Sequence, residues 1–191
     1  ELERQPFAGH AMVDPADSLE KLLASAKARH HRCLLAALHV EPACRWQLCQ
    51  RVVGRTNGPT LVCCHRSGII PADNGSCREW AFADHNTNCL GGTFAACVFF
   101  DLPQASAETL WAACETVSGG GIVCLVLPPQ LTLDDCIYMQ KEAQSVIAES
   151  EQKLGEALLP RLVQSLWKPC SFVDQELKIL ATQAGELLIS N

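Results

Sequence analysis

No apolar run in this chain is long enough to cross a bilayer. The longest, residues 33–40 and 121–127, fall far short of the ~20 residues a helix needs to span the hydrocarbon core. No positively charged stretch leads into an apolar signal segment either, so neither membrane insertion nor secretion is expected. Positive charge is scarce as well. A net charge of −6 argues against a domain whose main task is to coat a phosphate backbone, because such domains carry a positive excess. There is no GxxxxGK[ST] loop to cradle nucleotide phosphates, no GxSxG elbow to present a nucleophile, no CxxC metal pair and no internal repeat.

What is present is ordinary globular composition. Of 191 residues, 48% are apolar and 19% charged, which suits a folded domain and excludes a disordered, collagenous or coiled-coil chain. The length suits one domain, expected over residues 17–191 behind an irregular segment, 1–16. The opening at Glu1, without an initiator Met, points to a processed chain or a piece of a longer one. The 12 cysteines lie mostly inside apolar runs (Cys33, Cys63, Cys64, Cys97, Cys124) with no spaced framework. They read as reduced, buried thiols and favour an intracellular, reducing compartment.

Periodicity predicts an α/β order. Asp17 and Glu20 resemble a capping box, and Leu19, Leu22, Leu23 and Ala26 keep the spacing of one helical face, giving a helix over 18–30. Residues 33–40 are apolar throughout, as in a strand buried on both faces of a parallel sheet. Pro42 then opens a helix carrying Trp46, Cys49, Val52 and Val53, stopped by Asn57, Gly58 and Pro59. Strands are predicted at 60–64, weakly at 79–83, and at 93–100. Ser106 caps a helix whose buried face is Leu110, Ala113, Cys114 and Val117. Gly119, Gly120 and Gly121 are expected to end that helix as a left-handed C-cap before a strand at 122–127. A long helix from Thr132 to Gly155, a second through Leu159 to Leu166, and a terminal hairpin at 172–173 and 177–180 complete the order. The fold class is α/β: a three-layer, Rossmann-like, mainly parallel sheet with helices on both faces and a C-terminal hairpin.

Several residues invite chemical roles. The glycine triplet leaves a helix and enters a strand, the reverse of a phosphate loop, so capping is the better reading. Asp101 closes an apolar strand where P-loop enzymes place a magnesium-binding carboxylate; without a P-loop partner it reads as a capping or interface residue. Cys63, Cys64, His65, Cys77, His85 and Cys89 hold zinc-type ligands at poor spacing, with Cys63 and Cys64 on opposite sides of a strand. A Cys and His hydrolase would need an activated thiol that nothing in the pattern marks. Lys27, Arg29, His30, His31 and Arg32 form one basic cluster, best read as the complement of a helix C-terminus; Arg45, Arg51 and Arg55 could form a second.

The run Leu90-Gly91-Gly92-Thr93-Phe94-Ala95-Ala96-Cys97-Val98, followed by Asp101, Leu110, Glu115-Thr116-Val117 and Gly119-Gly120-Gly121, resembles the signature of the N-terminal domain of the RNA cytidine acetyltransferases, closest to their eukaryotic, nucleolar branch. Weaker similarity runs through Arg161, Ser165, Leu166, Asp174, Leu177, Ile179 and Leu180, and back to Ser18, so nearly the whole chain is covered. The chain departs from the pattern at Gly92, where Asn is typical, at Ala95, where Gly is frequent, and in a shorter segment between Cys64 and Asn86 that lacks a basic loop. The resemblance implies a domain without catalytic, cofactor-binding or metal-binding residues of its own. Leu90, Gly91, Thr93, Phe94, Asp101, Glu115, Thr116, Gly119, Gly120 and Gly121 would be structural or interface residues, and Lys27, Arg29 and Arg32 would be RNA contacts. It further implies a parent enzyme that makes N4-acetylcytidine in small-subunit rRNA and tRNA with ATP, magnesium and acetyl-CoA. The expected partners are the helicase-like and acetyltransferase modules of that polypeptide, rRNA or tRNA, and ribosome-assembly factors, with no membrane. A standalone scaffold of the same fold is the rival reading; a small Rossmann-like enzyme is a third.

Overall fold

The computed structural model describes residues 15–71, 75–84, 91–131 and 170–181. The expected helices between Thr132 and Leu166, and the similarity at Arg161, Ser165 and Leu166, lie outside the described residues, as do Leu90, His85 and Cys89. In chain order the elements are α1 (Pro15–Ala28), β1 (Cys33–Ala37), α2 (Arg45–Val53), β2 (Thr60–Cys64), β3 (Cys77–Ala81), β4 (Phe94–Phe99), α3 (Ala107–Glu115), β5 (Val117–Val126), β6 (Cys170–Val173) and β7 (Ile179–Ala181). The strands make one seven-stranded sheet in the order β3-β2-β4-β5-β1-β6-β7. Every pairing is parallel except the antiparallel β6–β7 hairpin.

The continuous apolar runs form strands for the reason their composition gives: β2 is buried at every position and β4 at all but Ala95, so neither face meets water. Helices cover both faces. On one, Leu19 of α1 and Leu48, Cys49 and Val52 of α2 pack onto Val62, Cys64, Val98 and Cys124. On the other, Ala113 and Leu110 of α3 pack onto Leu61, Cys97, Phe99 and Val123. Cys63 and Cys64 fall into these opposite layers, as the alternation of a strand requires. The three-layer α/β fold is the one the pattern implied.

Four local expectations change. The first helix starts at Pro15, with proline at its opening position, so Asp17 lies inside the first turn rather than at the cap position. Glu20 instead accepts a hydrogen bond from Arg55 Nη1 at 2.9 Å. β1 stops at Ala37 because His39 takes a left-handed φ of 55° and turns the chain off the sheet. The weak strand forms at Cys77–Ala81 rather than 79–83, as a parallel edge beside β2.

The fourth concerns the glycines. Gly119, Gly120 and Gly121 do not cap α3: the helix ends at Glu115, Thr116 turns the chain with Oγ1 donating to Ala113 O at 2.7 Å, and the glycines lie inside β5. The register explains why. Phe94 pairs with Val117 and Ala96 with Ile122, so two steps along β4 match five along β5, and the surplus residues bulge out. Backbone packs too close there for side chains. A Cβ on Gly121 would lie 2.5 Å from Ala95 O, one on Gly119 2.7 Å from His30 O, and Gly120 has φ +83°. Val117, placed on the helix by periodicity, is indeed buried, but as the first residue of β5.

Candidate functional site

The two ends of the parallel sheet differ. At the carboxyl ends, the chain leaves β2 toward the edge strand β3 and leaves β4 in the opposite direction toward β5. Such a divergence is where open α/β sheets usually hold ligands. Asp101 follows β4 here, in a left-handed conformation with φ 55°. Its Oδ1 accepts from Arg45 Nη2 at 2.7 Å, and its Oδ2 from the backbone N–H of His65 at 3.1 Å. The Arg45 guanidinium also lies 5.2 Å from the centroid of the Phe100 ring, a cation–π contact. Beside it the His65 ring meets Phe82 edge-on and Phe82 stacks on Phe99, both at 5.6 Å between centroids. His65 Nδ1 is buried there without a hydrogen-bond partner among the described residues. Both oxygens of Asp101 are thus engaged, and the cation opposite them is Arg45. The carboxylate ties the ends of β2 and β4 to the start of α2.

Four of the thiols are poor nucleophiles. Burial pushes Cys33 up to about 11 and Cys114 and Cys124 to about 12. Cys64 also rises to about 12, first through burial and then through the charge of Glu79, to which its Sγ donates. A thiol so shifted stays protonated near neutrality, where a catalytic cysteine must ionise. Glu79 has its own task, accepting from the N–H groups of Gly68 and Ile69 to hold the loop after β2. Among the described residues no three His, Cys, Asp or Glu side chains are grouped to hold a metal ion, and no helix is long and apolar enough to cross a membrane.

The amino end of the sheet collects most of the other residues singled out by sequence. Gly91 turns the chain with φ +81°, Thr93 is exposed, and Phe94 enters the core. The Phe94 N–H donates to Thr116 O at 2.9 Å, which joins the two halves of the motif at the starts of β4 and β5. The glycine bulge then meets the end of α1: Gly120 N–H donates to His31 O at 3.0 Å, and a Cβ there would lie 3.2 Å from Lys27 Cα. Of the described residues of the motif, Asp101 sits at the other end of the sheet, beside His65 and Arg45.

The basic stretch from Lys27 to Arg32 is exposed and sits where α1 turns into β1. α1 closes in a Schellman motif, with His30 N–H donating to Lys27 O and His31 N–H to Ala26 O, and His30 at φ 54°. Arg29 Nη2 donates to Ser25 Oγ at 2.7 Å and Nε to Ser25 O. Arg32 Nε donates to Val117 O at 2.6 Å and Nη2 to Glu115 O, so this arginine closes the carboxyl end of α3, not of its own helix. The other suggested cluster disperses. Arg45 pairs with Asp101, Arg51 donates to Gln175 O, and Arg55 pairs with Glu20.

Two hollows flank this basic turn. One, of about 270 Å³, has the glycine bulge as its floor and Lys27, Thr56, Asn57 and Ser118 on its walls. The other, of about 150 Å³, lies between α1 and the amino ends of β1 and β6, lined by Arg29, His31, Arg32 and Ser171 among others. Sequence reasoning missed the partnership of Arg45 with Asp101, the His65 N–H that joins it, and the reach of Arg32 to the end of α3. The first had a signal: an aspartate ending a buried strand needs a cation or N–H groups to face.

Comparison with known proteins identifies the family. A family model described as "tRNA(Met) cytidine acetyltransferase TmcA, N-terminal" matches residues 12–170, from ahead of α1 to the first residue of β6. Over 105 residues the chain is 29% identical to the RNA cytidine acetyltransferase of Mus musculus; the aligned part is 53% of this chain and 10% of the mouse protein. The chain thus matches about a tenth of that relative's length. With the motif at the starts of β4 and β5 inside the matched span, the chain belongs to the TmcA N-terminal domain family of cytidine acetyltransferases.

Proposed function

We propose that this chain acts as a non-catalytic N-terminal domain of an RNA cytidine acetyltransferase. On this reading it packs against the helicase-like and acetyltransferase modules of the same polypeptide and lends its basic amino edge to rRNA or tRNA. Those modules bind ATP, magnesium and acetyl-CoA and carry out N4-acetylation of cytidine. A nucleolar location and ribosome-assembly partners belong to the same reading.

The observation that carries it is the contrast between the two ends of the sheet. At the divergence of β2 and β4 both oxygens of Asp101 are taken by Arg45 and the His65 N–H, whereas the exposed Lys27, Arg29 and Arg32 gather at the amino edge. Packing against another module finds support in Trp111 of α3, which is 69% exposed; tryptophan is the residue type most enriched among interface anchors. Thermal unfolding of the chain with and without ATP–magnesium or acetyl-CoA tests the non-catalytic role. No shift in Tm is expected at millimolar ligand, and a saturable rise would give the domain a nucleotide or coenzyme site of its own.

A further inference from the structure

The smaller amino-edge hollow has the features of an anion site. Among the described residues its lining holds the guanidinium groups of Arg29 and Arg32 and the imidazole of His31, with no carboxylate. Both guanidinium groups are already oriented. Arg29 spends Nε and Nη2 on Ser25, and Arg32 spends the same two nitrogens on Val117 O and Glu115 O. Each keeps Nη1 without a partner among the described residues. An arginine pinned along one edge loses little conformational freedom when the other edge takes a ligand.

The end of a helix normally repels anions, but here the exposed carbonyls of α1 are covered. Ser25 O, Ala26 O and Lys27 O accept from the N–H groups of Arg29, His31 and His30, which removes much of the negative end of the helix dipole. At about 150 Å³ the hollow suits one tetrahedral oxyanion rather than a nucleotide. The larger, glycine-floored hollow is less suited to an anion, because the guanidinium on its rim, Arg55, is paired with Glu20.

We propose that Arg29, His31 and Arg32 form a discrete binding site for a single phosphate group between α1 and the amino ends of β1 and β6. The proposal rests on the RNA reading above in one respect, that RNA is the source of the phosphate; a free phosphate would satisfy the same chemistry.

The test is a titration of the chain, followed by ¹H–¹⁵N spectra of backbone and arginine Nε resonances, first with inorganic phosphate and then with a short single-stranded oligoribonucleotide. Potassium chloride at matched ionic strength is the control. Phosphate is expected to give saturable shifts at Arg29, His31 and Arg32 that chloride does not reproduce. Arg29→Gln combined with His31→Gln should weaken phosphate binding at least about tenfold, while His31→Arg should retain it. Arg32 is left intact because it holds the end of α3; unchanged melting of the variants shows that they fold.

Phosphate shifts absent, or matched by chloride, overturn the site. If the oligoribonucleotide still binds in that case, the RNA reading survives without it. Saturable phosphate binding with no oligoribonucleotide binding upholds the site, makes a free phosphate its ligand and rejects RNA as the source.

Discussion

Gly121→Ala is the sharpest structural test of the bulge between β4 and β5. The added Cβ would lie 2.5 Å from Ala95 O, 2.7 Å from Val117 Cγ1 and 2.9 Å from Ser118 O, where ordinary contact begins near 3.4 Å. Two of these neighbours are backbone atoms, one on the paired strand β4, so relief requires the strands to part by most of an ångström and their ladder to stretch. Overpacking of that kind costs about 2–3 kcal/mol, which for a chain of this size lowers Tm by roughly 5–10 °C. Gly91→Ala is the control. That glycine has φ +81° but nothing within 4 Å of its Cβ position, so only backbone strain of about 1–2 kcal/mol applies. Urea unfolding of both variants, followed by far-UV circular dichroism, measures the difference. If Gly121→Ala costs no more than Gly91→Ala, the close-approach account of the bulge is wrong.

Asp101→Asn keeps a residue tolerant of φ 55° but removes the charge facing Arg45; because the Arg45 side chain is 31% and that of Asp101 18% exposed, a loss of only about 1 kcal/mol is expected, and a double-mutant cycle with Arg45→Met should return a coupling of similar size. A cycle with no coupling would remove the pair from the account. Ser106→Ala deletes the oxygen that accepts from Thr109 N–H at 3.0 Å and should cost about 1 kcal/mol in urea unfolding. Stability should also fall at alkaline pH: Cys33, Cys64, Cys114 and Cys124 ionise near 9.0 when unfolded but near 11 to 12 when folded. Above pH 9 the unfolded state therefore binds fewer protons, and each thiol removes up to about 1.4 kcal/mol per pH unit until its folded value is reached. Denaturation midpoints at pH 8, 9 and 10 check the sign, and a flat profile would contradict the burial of these thiols.

The sheet was readable because its inner strands carry their burial in one dimension. A run such as Thr60–Cys64 can only be covered on both faces, so strand, location and helical layers follow together. The glycine triplet was misread for a physical reason. Glycine serves a helix end through positive φ and a bulge through the missing Cβ, and local sequence does not distinguish the two. What decides is the distance to Ala95 O and His30 O, on segments more than twenty residues away in the chain. The partnership of Arg45 with Asp101 was hidden likewise, since 56 positions separate them and each has a satisfactory local reading. The basic turn was legible as a cluster, yet its geometry was not: that Arg32 reaches the end of α3 rather than of α1 depends on β1 lying beside β5.

The most direct measurement of the central claim is RNA affinity over a salt series, for the chain and for Lys27→Gln, Arg29→Gln and, at the opposite end of the sheet, Arg66→Gln. With a net charge of −6 binding should be weak and should fall as salt rises. Lys27→Gln and Arg29→Gln should each lower the salt slope by about one, whereas Arg66→Gln should leave it unchanged. Slopes indifferent to Lys27 and Arg29, or equally reduced by Arg66→Gln, would contradict an RNA-facing amino edge.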